Sequence, residues 1–88
     1  MADTERDGAE IGRRIKDVRQ RRGITQMWLA EKTGITKQAM YAIEAGKAVP
    51  KAPHVAKIAR LLRVSSDYLL GLKDEKIVED RQHVLALV

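Results

Sequence analysis

Side chains equipped for bond-making chemistry are few in this chain, and their spacing rules most of it out. His54 and His83 lie 29 residues apart, with no acid, base or ligand arranged around either. The C-terminal carboxylates Asp74, Glu75, Glu79 and Asp80 have the pattern of a charged helix face and show no paired spacing for proton transfer. There is no cysteine, which excludes disulfides, zinc fingers and thiolate chemistry. The glycines stand singly, most of them at expected helix ends, and never group into a phosphate-cradling loop. No catalytic residue, metal site or cofactor is expected, and the chain does not read as an enzyme.

The chemistry that remains is ionic. Residues 1–12 carry Asp3, Glu5, Asp7 and Glu10 against Arg6. Residues 13–63 carry thirteen Lys and Arg against Asp17, Glu31 and Glu44, a local charge of +10 in a chain of net charge +5. Residues 64–88 turn acidic again, with Asp67 and the four C-terminal carboxylates against Lys73, Lys76 and Arg81. Presented together, the central charges attract a polyanion; scattered, they only keep a surface soluble. Charge alone leaves both open.

The elements that must position these groups are helical. At 88 residues the chain fits one domain, and 44% hydrophobic residues suffice for a core. With no Phe and one Trp, that core is expected to be aliphatic. Residues 1–9 are polar and aperiodic, so a frayed or flexible start is expected there. Ile11, Ile15 and Val18 form one helical stripe, and Gly23 ends that helix after Arg22. Thr25 can cap a helix from Gln26 to about Thr33, stopped by Gly34. Thr36 can cap a third helix, Lys37 to about Ala45, stopped by Gly46. A loop Lys47–Pro53 precedes a helix from His54 to about Leu62, with Val55, Ile58, Ala59 and Leu62 inward. Ser65 caps a short fifth helix to Leu70, closed by Gly71. The fold class is all-α, a domain at 10–72 with a C-terminal extension at 73–88. That extension is either one more helix, with Ile77, Val78, Val84, Leu85 and Val88 on a stripe, or a partner-dependent tail. No apolar run approaches the roughly 18 residues of a membrane span. The acidic N-terminus does not suit a signal peptide, so a cytoplasmic location is expected.

The informative stretch is QMWLAEKTGITKQAMYAIEA, residues 26–45, a helix, a glycine and a second helix. Ala30 is small where the two helices would cross, Gly34 suits a turn with positive φ, and Leu29, Ile35, Met40 and Ile43 supply the apolar contacts between them. With its flanks, IGRRIKDVRQRRGITQMWLAEKTGITKQAMYAIEAGKAVPKAPHVAKIARLLRVSSDYLLG resembles the XRE family, the helix-turn-helix domain of lambda-type phage repressors and Cro proteins. The resemblance spans residues 11–71. It implies a five-helix lambda-repressor-like fold, binding of double-stranded DNA in the major groove, and a homodimer on a palindromic operator.

By the same resemblance, Gln26 matches a glutamine that contacts a phosphate and braces the recognition helix. Thr36, Lys37 and Gln38 begin that helix; Gln38 can pair with adenine through two hydrogen bonds, and Lys37 can donate to guanine. Tyr41 either reaches a base or phosphate or sits half-buried in the core. Gly46, Lys47 and Lys51 fall in the family's backbone-binding loop, and Arg19 and Glu44 match a buried ion pair joining the first helix to the third. Arg13 and Arg14 are either solvated charges or phosphate contacts. Two departures stand out. Trp28, beside Met27, replaces the acidic residue of a capping box, and Ala42 replaces a side chain that is often polar. Met27 and Trp28 either cover the tail, add a contact near the DNA, or join Ile77, Val78 and Leu85 of the tail as a candidate interface for a second copy, a toxin or another protein. The expected function is a DNA-binding regulator, with an antitoxin or an interaction adaptor of the same fold as alternatives.

Overall fold

The computed structural model describes the backbone of residues 3–72 and the side chains of residues 8–72. Five helices follow one another: α1 (Asp3–Arg21), α2 (Gln26–Thr33), α3 (Lys37–Glu44), α4 (Ala52–Leu62) and α5 (Ser66–Leu70). No strand occurs among the described residues. Packing joins α1 to α3, α4 and α5, α2 to α3 and α4, and α4 to α5. One apolar core lies between them, with Ile15, Leu29, Met40, Ile58, Leu62 and Leu69 fully buried.

Local chemistry accounts for the helix ends. The side chains of Thr25, Thr36 and Ser65 accept hydrogen bonds from the backbone N–H of Trp28, Ala39 and Tyr68, satisfying donors that a helix start leaves without a partner. Gly34 closes α2 at φ 77°, and nothing lies within 4 Å of where its Cβ would be, so the backbone angle alone calls for glycine. Arg63 closes α4 in the same left-handed region at φ 62° without being glycine, a conformation that costs about 1–2 kcal/mol. The Arg22 guanidinium donates to its carbonyl oxygen across 3.3 Å.

Three expectations are revised. The segment 1–9, read as a frayed start, is helical from Asp3 onward. It lacks an apolar stripe because its contact is made by small residues: a Cβ on Gly8 would lie 2.8 Å from Val49, and Ala9 backs directly onto Gly46. Helix α4 starts at Ala52, not His54, because Pro53 falls in the first turn, where its missing N–H would have had no partner anyway. The loop expected as Lys47–Pro53 therefore ends at Lys51. The core is also not wholly aliphatic: Tyr68 is buried in it, with the Arg14 guanidinium 5.9 Å from its ring centroid.

Gly12 sets how closely α1 approaches α3. A Cβ there would lie 2.0 Å from the carbonyl oxygen of Ile43. On helix propensity alone, Gly12→Ala would stabilise α1 by about 1 kcal/mol. The clash with backbone reverses the sign, and urea unfolding should show a net loss near the upper end of the ~1–3 kcal/mol typical of overpacking. Gly34→Ala meets no atom and should lose only the ~1–2 kcal/mol of a left-handed alanine. A Gly12→Ala protein as stable as the parent would mean that α1 slides off α3 at no cost.

Candidate nucleic-acid interface

The site is built on a buried carboxylate. Glu44, the last residue of α3, is 3% exposed in its side chain and faces Arg19 of α1. Arg19 Nε donates to Glu44 Oε2 at 2.7 Å and Nη2 to Oε1 at 2.9 Å, a two-pronged pair. The third arginine nitrogen, Nη1, donates to the Ile24 carbonyl at 2.8 Å and so holds the chain between α1 and α2. Gln26, first residue of α2, completes the set, with Nε2 donating to Glu44 Oε1 at 3.1 Å. One carboxylate thus ties α1, the α1–α2 turn, the start of α2 and the end of α3.

Gln26 has a second face. Its Nε2 carries two N–H groups, one spent on Glu44, and its side chain also borders an open hollow of about 310 Å³. The other residues around that hollow are Lys37, Gln38 and Tyr41. Lys37 and Gln38 are exposed on the first turn of α3, and Tyr41 follows one turn later at 61% exposure. That exposure rejects the half-buried core position for Tyr41. Thr36 lies just outside α3, its hydroxyl engaged as the cap. Ala42 is half-buried, and its carbonyl accepts from the backbone N–H of Lys47 and Ala48 at 2.8 and 3.2 Å. Those bonds fold the loop after Gly46 back onto α3, while the side chains of Lys47 and Lys51 remain exposed.

The helix starts are electrically unbalanced. The first turns of α2, α3 and α4 contain no acidic residue, whereas α5 has Asp67. Lys37 opens α3, and Lys51 is the N-cap of α4 with no side-chain cap bond. A helix N-terminus carries partial positive charge, so cations there are unfavourable until an anion arrives. Such an arrangement suits an external polyanion better than it suits folding.

The remaining candidates divide. Met27 and Trp28 are 60% and 39% exposed, and the Lys32 ammonium sits 5.8 Å from the Trp28 ring centroid. Arg13 and Arg14 both pair with Glu10, whose hydrogen bond and then whose charge raise the Arg13 pKa above its ordinary value. Ile77, Val78 and Leu85 lie outside the described residues. Gly12 escaped the sequence reading, although a glycine inside a helical stripe is itself a signal of close approach.

Residues 10–70, from the middle of α1 to the end of α5, match the helix-turn-helix domain family. The chain belongs to that family. This helix-turn-helix domain is of the XRE type. It is 39% identical over 67 residues to the uncharacterized HTH-type transcriptional regulator YqaE of Bacillus subtilis, covering 75% of this chain and 58% of that one. It is 40% identical over 65 residues to the HTH-type transcriptional regulator ImmR of Bacillus subtilis, with 74% and 50% covered. To the HTH-type transcriptional regulator SinR of Bacillus licheniformis it is 38% identical over 66 residues, with 74% and 60% covered. The matched region spans half to three-fifths of these relatives' length. No solved structure matches.

Arg19→Met strands a buried carboxylate and should cost about 3–5 kcal/mol. Arg19→Met combined with Glu44→Leu removes both charges and should recover most of that loss. A double variant as unstable as the single one, measured by thermal and urea unfolding, would show that shape and not charge holds this junction.

Proposed function

We propose that this helix-turn-helix domain binds double-stranded DNA in a sequence-specific manner and regulates transcription, as a repressor acting in the cytoplasm as a homodimer on a palindromic operator. The observation that carries this reading is the open hollow shared by Gln26, Lys37, Gln38 and Tyr41. It joins a phosphate donor at the start of α2 to base-reading side chains at the start of α3. Lys37 presents donors that guanine O6 and N7 accept in the major groove, and Gln38 a donor for adenine N7 and an acceptor for its N6–H. The second N–H of Gln26, with Lys47 and Lys51 in the loop that Gly46 opens, fixes the register on phosphates, and Thr36 holds the helix that reads. Two subunits would set their recognition helices about 34–36 Å apart, one turn of duplex. The activity is binding, with no catalytic step.

A second reading follows from the exposed Met27 and Trp28. They suit a protein partner, as in an adaptor or an antitoxin that meets a toxin. The absence of acidic residues from the starts of α2 and α3 favours the DNA reading.

Selection from a random duplex library at two salt concentrations separates the two. Recovery of a palindrome with half-sites one helical turn apart is expected; weak, motif-free binding lost with salt would transfer the assignment to the adaptor. Gln38→Ala should cost about 1–3 kcal/mol and relax choice at one base position only. Lys51→Ala should weaken every duplex alike and lower the salt slope by about 1. Uniform weakening by Gln38→Ala would remove it from base readout, and an unchanged slope would remove Lys51 from the phosphate contacts.

A further inference from the structure

A second hollow, of about 350 Å³, opens between α1, the α3–α4 loop, α4 and α5. Ile11, Val49, Pro50, Val55, Ala56 and Leu70 form its walls, so almost all of its surface is carbon. Val49 is 53% exposed, Leu70 45% and the following Leu72 72%. None of its lining residues belongs to the Gln26–Tyr41 hollow. Large aliphatic groups left in water beside a preformed apolar groove call for an occupant.

We infer that residues 77–88 of the same chain dock in this groove. Two observations select that segment over other occupants. The first is reach: Leu70 is a wall of the groove, and two residues further on the Leu72 N–H donates to the Asp67 carbonyl at 2.8 Å. Only Lys73–Lys76 separates that anchored point from Ile77, five steps along the chain that span at most about 18 Å. The second is composition: Ile77, Val78, Val84, Leu85 and Val88 supply the aliphatic groups that the groove lacks. Tethering by so short a connector gives an effective concentration of about millimolar, well above that of a second copy in dilute solution. Docking leaves the face of α3 open, so it is compatible with the proposed function and independent of it.

The chain has no cysteine, so an introduced pair is unambiguous. Val49→Cys with Leu85→Cys, oxidised in the full chain at micromolar concentration, should give an intramolecular disulfide, seen as a monomer of altered mobility without reductant. A disulfide-linked dimer would overturn the proposal in favour of a second copy's segment, and no disulfide would overturn it outright. The unmodified full chain supplies the second measurement. Methyl NOEs should link Val49, Val55 or Leu70 to Val84 or Leu85, persist on dilution, and vanish in Leu85→Asp while the helical circular dichroism of the domain stays unchanged. Their absence from the unmodified chain would refute the docking whatever the disulfide result.

Discussion

A carboxylate taken out of water must be matched where it lands, and most of this structure follows from how Glu44 is matched. Arg19 reaches it with two nitrogens, Gln26 with one, and the arginine's third nitrogen goes to Ile24. Such a pair contributes little net stability, because desolvating both charges offsets most of their attraction. Its value is geometric. An aliphatic pair of equal volume could fill the space, but it could not tell one rotation of α3 from another. With three donors converging on two oxygens, only one orientation satisfies all of them. That orientation leaves Lys37, Gln38 and Tyr41 at the surface and Met40 and Ile43 in the core.

The second constraint is distance. Polar groups can converge on Glu44 only if α1 and α3 approach closely, and Gly12 lets a carbonyl of α3 rest where a side chain would stand. Higher up the same helix, Gly8 and Ala9 admit Val49 and Gly46, so the α3–α4 loop lies against α1. The loop is held from its other side by the Ala42 carbonyl. Backbone–backbone contacts of this kind are stiff, so the exposed Lys47 and Lys51 stand at a fixed height beside α3.

Legibility in the sequence tracked the range of the forces involved. Caps and glycine stops act within a few residues, so α2, α3 and α5 were readable almost to the residue from Thr25, Gly34, Thr36, Ser65 and Gly71. Pro53 was read as a breaker because its tolerance in a first turn depends on where the helix begins. The start of α1 was missed because its contacts are made by glycine and alanine, which leave no mark on a hydrophobic pattern. At the site, the residue types around the hollow were legible through family resemblance. The resemblance gave Gln26 a bracing role, but that the brace is Glu44 was not legible, since it depends on an 18-residue separation closed only in three dimensions. Tyr41 was ambiguous for a similar reason: an amphipathic ring suits either side of a helix until its neighbours are known.

Trp28 has a consequence of an optical kind. The chain's single indole stands on the outside of α2, partly hydrated and close to an ammonium, two residues from Gln26. Its emission in the native protein should already be shifted part of the way toward that of a solvated indole, so it would report less fully on melting than a tryptophan of the core. The same placement makes it a sensitive witness to anything that settles on the start of α2. Fluorescence of such a molecule reads the surface of α2 more directly than the interior, the reverse of a protein whose tryptophan is buried in its core.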